Sequence, residues 1–123
     1  NNFLYYYFFI TKLGHRMKLY EKMQEAWNNT DVDAWNALRH EDFQFTRHQS
    51  GRVVKKNDMD PDEMKKFMKV MKQEKRRCIY ENDDVLITHA FVTYGSGDKE
   101  ALMTVYLKKD GLLWRMETGA TQL

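Results

Sequence analysis

The separation of two hydrophobic periods along the chain constrains its fold more than any single motif. Helix-type spacing of apolar residues ends near Met71, and from Arg77 onward the apolar pattern is of strand type. Residues 77–81, 85–94, 101–108 and 112–118 read as four strands. Their links, Asn82-Asp83-Asp84, Gly95-Ser96-Gly97-Asp98 and Asp110-Gly111, are short and rich in turn residues. Asp110-Gly111 fits a two-residue hairpin, because both residues tolerate positive φ. Short links between successive strands give an antiparallel meander. Helices gathered early and strands gathered late give an α+β fold with the helices on one side of the sheet.

The first half supplies those helices. Leu19, Tyr20, Met23, Ala26 and Trp27 fall on one face of a helix that Asn28-Asn29 ends. Thr30 with Asp33 forms a capping-box pattern for a second helix, which turns Ala34, Trp35 and Leu38 inward and fades at Arg39-His40. Residues 43–49 alternate as a strand, Ser50-Gly51 marks a turn, and residues 52–56 form a short partner strand. Asp60-Pro61-Asp62-Glu63 opens a third helix with an Asp cap, Pro in the first turn and early acids. Met64, Phe67, Met68 and Met71 are its apolar stripe.

Composition narrows the class. A chain of 123 residues is the size of one domain with one core. Its 42% hydrophobic and 31% charged residues are those of a globular protein rather than a disordered one. One cysteine, Cys78, excludes an internal disulfide framework and a multi-cysteine zinc site, and reads as a buried strand residue. The expected compartment is the cytoplasm. Twenty Lys plus Arg against eighteen Asp plus Glu leave +2, no sign of a nucleic-acid partner. Lys65, Lys69, Lys72 and Arg76 make a basic stripe on the third helix, read as a solvated face.

Residues 3–10, FLYYYFFI, stand apart. The run is shorter than the ~20 residues of a membrane helix and lacks the flanks of a secretory signal. Three readings are open: a strand, a buried arm, or a stretch that is not native protein. In the last, Met17 is the start and residues 1–16 are an atypical aromatic extension to a domain spanning 17–123.

The run AWNNTDVDAWNALRHEDF, followed by a Pro-started helix and a meander closing on VYLKKDGLLWRMETGATQL, resembles the nuclear-transport-factor-2-like superfamily, and within it the SnoaL-like small domains. The resemblance spans residues 17–123 and rests on structural positions: the Asn28-Asn29-Thr30-Asp31 turn with Trp35, Asp42-Phe43, and Asp110-Gly111 to Trp114. It implies a cone, in which three helices pack on a strongly curved antiparallel sheet and leave a pocket between. It also implies a homodimer through the outer sheet face. Members include ketosteroid isomerase, polyketide cyclases, scytalone dehydratase and non-catalytic binding domains.

The isomerase and cyclase members use a carboxylate or histidine inside the cone as a proton acceptor. The matching strand here has no carboxylate between Phe43 and Gln49, and its position falls on His48. His89, in mid-strand with Val85, Ile87 and Phe91 at the same parity, is the second candidate; it is also read as a core residue. Two such histidines facing the cone would form an acid–base pair. Glu117 is either one half of a surface pair with Arg115 or, if inward, the missing base. Tyr20, Trp27, Trp35, Phe45, Phe91, Tyr94 and Trp114 are the expected pocket walls, suited to a small apolar molecule. The spacing of His15, His40, His48 and His89 offers no metal motif, and no cofactor is expected. The expected function is a small-molecule pocket protein, with cofactor-free isomerisation, cyclisation or dehydration of an apolar carbonyl compound as its chemistry. The alternative is a non-catalytic ligand-binding or interaction module. Neither nucleic acid nor membrane is an expected partner.

Overall fold

The computed structural model describes residues 18–123; the aromatic segment 1–16 and the proposed start at Met17 lie outside the described residues. Helices α1 (Leu19–Asn28) and α2 (Val32–Ala37) form the hairpin, and α3 (Pro61–Val70) stands between the second and third strands. The strands are β1 (Arg39–Thr46), β2 (Val53–Lys55), β3 (Lys72–Glu81), β4 (Val85–Thr93), β5 (Lys99–Lys109) and β6 (Leu112–Gln122). They make one curved, unclosed sheet in the order β2-β1-β6-β5-β4-β3. Every neighbouring pair is antiparallel except β1 with β6. The expected α+β cone of three helices on a strongly curved, mostly antiparallel sheet is what the chain forms.

Local chemistry explains the boundaries. Asp60 Oδ2 accepts from the Asp62 and Glu63 N–H groups at 3.1 and 3.3 Å, and Pro61 opens α3 as expected. At α2 the cap is Asp31 rather than Thr30: Asp31 Oδ1 accepts from Ala34 N at 3.0 Å. Thr30 instead turns the chain in the left-handed region, φ 51°. Helix α1 has no side-chain cap of its own. Its first N–H groups, of Leu19 and Tyr20, donate to the Glu81 carboxylate at the end of β3, at 3.0 and 3.4 Å. Lys108 Nζ meets the same carboxylate at 2.7 Å, and both side chains are almost wholly buried.

Several boundaries differ from expectation. Strand β1 runs from Arg39 to Thr46, so His48 and Gln49 sit in the loop beyond it. Strand β3 begins at Lys72 rather than Arg77, directly after α3. The basic stripe therefore splits, with Lys65 and Lys69 on the helix and Lys72 and Arg76 on the strand. Cys78 is exposed rather than buried, because β3 is the edge strand. Asp110 and Gly111 take φ 54° and 75°, both left-handed, as the expected hairpin requires.

The core lies between the helices and the inward sheet face. Leu86 and Leu113 are wholly enclosed, with Leu19, Met23, Ala26, Trp35, Leu38, Phe43, Met68 and Tyr106 around them. Burial of side chains of this size contributes about 1.5–3 kcal/mol each.

Candidate functional site

The inward face is identified by parity. Leu86 and Val92 of β4 are buried, so Thr88 and Ala90 between them point the same way. Cross-strand register extends this into rows: Leu86–Tyr106–Met116, then Thr88–Thr104–Thr118, Ala90–Leu102–Ala120, and Val92–Glu100–Gln122. All but Leu86 border one cavity of about 1100 Å³, enclosed by the sheet, the helices and the β1–β2 loop. That volume is at the upper end of small-molecule sites, typically about 300–1,000 Å³.

The wall is mostly apolar. Of the expected wall residues, Tyr20, Trp27, Trp35, Phe45 and Tyr94 border the cavity. Trp27 meets Trp35 and Phe67 edge-on, with ring centroids 5.9 and 6.2 Å apart, and Phe67 lies 6.5 Å from Tyr94. Phe91 and Trp114 do not border it. Phe91 has the outward parity of β4. Trp114 is displaced by a register shift: β5 pairs Leu107 with Arg115 but Lys108 with Leu113, which leaves Trp114 as an extra residue in β6. Leu113 and Met116 take the inward positions instead, and Trp114 lies against the Arg115 guanidinium, 3.9 Å from the ring centroid.

The two histidines are not brought together. His48 is at the cavity rim, more than half exposed, with Nε2 3.7 Å from Glu117 Oε2. Glu117, opposite Val105 on the outward parity, is equally exposed and lies outside the cavity wall, so it is not an inward base. His89 is part of the β4 wall, but its ring shares the outward parity of Phe91 and packs edge-on against it at 5.2 Å. Its Nδ1 is enclosed without a hydrogen-bond partner. With the His89 ring on the outward parity and His48 exposed at the rim, the structure does not bring the two together inside the cone.

Beside the expected Tyr94, the interior holds Glu100 and Arg39, which sequence reasoning passed over. At the mouth the Tyr94 hydroxyl donates to Glu100 Oε2 at 3.0 Å. Burial, then that bond, pushes the Tyr94 phenol up to about 12. Among the described residues Glu100 is the one carboxylate that borders the cavity. At the narrow end the Arg39 guanidinium lies 5.4 Å from the Trp35 ring and 5.0 Å from that of Phe43. Its Nη2 donates to Asn36 Oδ1 and, at 3.3 Å, to the Lys56 carbonyl. Its Nε is buried without an acceptor. Burial lowers the Arg39 pKa, with Tyr106 opposing. Burial also raises the Tyr106 phenol, with Arg39 opposing. Both stay protonated at neutral pH. Arg39 was hidden because it stood at the expected fading end of a helix, whereas it opens a strand. Thr88, Thr104 and Tyr106 were within reach of the strand period once one buried residue fixed the parity.

Among the described residues no three His, Cys, Asp or Glu side chains gather to hold a metal, and no helix is long and apolar enough to cross a membrane. The arrangement suits a mainly apolar molecule held by a few polar groups at two ends.

No family model and no curated protein matches the sequence. Solved structures do. An NTF2-like protein of unknown function from Cytophaga hutchinsonii is 14% identical with TM-score 0.64, over 81% of this chain and 84% of that one. An NTF2-like protein of unknown function from Burkholderia xenovorans is 15% identical with TM-score 0.65, over 83% and 79%. An LEH-like epoxide hydrolase of M. tuberculosis is 12% identical with TM-score 0.59, over 82% and 78%. Sheet order, helix placement and cavity thus converge with these likenesses on one conclusion: the chain has the NTF2-like fold.

Proposed function

We propose that this chain is a small-molecule pocket protein of the SnoaL-like kind, taking an apolar carbonyl compound into the cone. The observation that carries this reading is the cavity of about 1100 Å³ with its aromatic and methionine wall. An interaction module with a filled cone has no use for that space. Native mass spectrometry of the purified protein, paired with a denatured run, tests the proposal. A mass increment that vanishes on denaturation supports it. No increment, together with no uptake of added apolar carbonyl compounds, overturns it.

A catalytic reading rests on one further observation, the Glu100 carboxylate held by the Tyr94 hydroxyl at the mouth. With the His89 ring on the outward parity and His48 at the rim, Glu100 takes the proton-acceptor role that the two were expected to share. Tyr94 then orients it. Cofactor-free isomerisation, cyclisation or dehydration needs such a base beside a carbonyl. Under this reading Glu100→Gln keeps ligand binding and lowers turnover by about 100-fold or more. Unchanged turnover removes Glu100 from the chemistry.

A further inference from the structure

We infer that the ligand is an apolar monocarboxylate whose head group docks on Arg39 at the narrow end of the cone. This rests on the pocket reading above and names the class of molecule the pocket takes. The starting observation is an imbalance of charge. Among the described residues four cationic side chains, Arg39, Arg47, Lys55 and Arg76, border the cavity against the single carboxylate of Glu100, which Tyr94 already engages. Among the described residues none of the four cations has a carboxylate within ion-pair distance.

Arg39 is the cation that most needs a counter-charge. Arg47 and Lys55 are exposed. Arg39 is drawn in between two aromatic rings, and its protein acceptors are neutral: an amide oxygen and a backbone carbonyl. A partly buried guanidinium with only neutral partners carries an uncompensated desolvation cost. Lys108, a cation whose side chain is almost wholly buried, is paired directly with Glu81. The counter-ion for Arg39 is therefore expected from outside the chain.

The surroundings fit a carboxylate head. Tyr106 is buried and borders the same cavity, where the Arg39 guanidinium opposes the rise of its phenol pKa. One row toward the mouth, Thr88, Thr104 and Thr118 stand side by side across three strands and border the cavity. Guanidinium and phenol both donate, and a carboxylate only accepts. Leu102, Ala120, Met64, Trp27 and Phe67 give the wall apolar surface that suits the body of the ligand. The exposed cations Arg47 and Lys55, which also border the cavity, would draw an anion toward it.

The test compares dodecanoic acid, 1-dodecanol and 2-dodecanone by isothermal calorimetry at pH 8, where the acid is ionised. The proposal expects the acid to bind about tenfold or more tighter than either neutral probe, the gain of a charge-assisted hydrogen-bond pair. Arg39→Gln should abolish that preference. Equal affinity for acid and ketone would mean that Arg39 reads a carbonyl; the carboxylate proposal falls and the pocket reading stands. Binding of none of the three overturns both. A preference that survives Arg39→Gln but is lost in Arg47→Gln places the head group at the mouth and overturns the assignment. Circular dichroism decides whether Arg39→Gln is folded. Should it not be, Arg39→Lys replaces it, and an undiminished acid preference there counts against recognition by the planar guanidinium fork.

Discussion

Single residues in this chain do work that their neighbours in sequence do not announce. Glu81 terminates a strand, caps a helix 62 positions away in the chain and neutralises Lys108. Removing the cation leaves a buried carboxylate held only by the α1 N–H groups. Lys108→Met should cost about 3–5 kcal/mol in urea denaturation, whereas Lys65→Met on the exposed face of α3 should stay within about 0.5 kcal/mol. Adding Glu81→Gln to Lys108→Met should recover part of the loss, because an amide needs no counter-charge. A double variant no more stable than Lys108→Met would refute the coupling. Tyr94 gives a second prediction, in pH. Its phenol titrates near 10 when unfolded and at about 12 when folded. Between those values the unfolded chain holds fewer protons than the native one, so stability falls as pH rises through the window. Burial moves Tyr106 the same way. Tyr94→Phe should therefore flatten part of the alkaline loss in thermal melts between about pH 10 and 12, leaving the Tyr106 share. An unchanged slope would place Tyr94 in water.

At the scale of elements, the hairpin of β5 and β6 shows what a sequence discloses and what it withholds. Asp110-Gly111 announced its turn, because few residue pairs accept two left-handed conformations. A Cβ at Gly111 would meet nothing within 4 Å, so substitution there tests backbone conformation alone. Gly111→Ala should cost about 1–2 kcal/mol in denaturant midpoint analysis, with no change in the compactness reported by the denaturant slope. A neutral effect would mean that the turn reorganises. Just beyond it, the register shift opposite Leu107 and Lys108 is silent in sequence. It moved Trp114 off the inward parity and Leu113 onto it. The same kind of information was missing at Arg39, where a helix-compatible residue opens a strand, and at Thr30, where position in the turn decided the cap. Periodicity and turn chemistry recovered the order of helices and strands and five of the expected wall aromatics. Parity across bulges, strand starts and edge exposure come from tertiary pairing. Those features separated Glu100 and Tyr106 from His89 and Glu117.

On the scale of the whole molecule, the sheet has two faces of different fate. The inward one packs on the helices and bounds the cavity. The outward one carries Phe91, Met103 and Leu107, 38%, 44% and 43% exposed, around the parity of Ile87 and Val105. Tyr80, opposite Ile87, adds a ring at 54% exposure. The enclosed and unpartnered Nδ1 of His89 lies in the same patch. Contiguous apolar side chains of this size on a sheet face mark a contact surface, and a second copy of the chain brings an identical apolar patch to it. We propose a homodimer through this face. Sedimentation equilibrium of a chain starting at Lys18 should give twice the protomer mass. Met103→Glu with Leu107→Lys should give the single mass with an unchanged circular dichroism spectrum. The choice of start matters, since the aromatic run of residues 3–10 would otherwise offer a second source of association. Because the cavity opens on the opposite side of the sheet, the monomeric variant should bind dodecanoic acid as the parent does. A parent that is monomeric, or a charged variant that still dimerises, refutes this face as the interface. Loss of ligand binding in a folded monomer would instead show that dimerisation supports the cone itself.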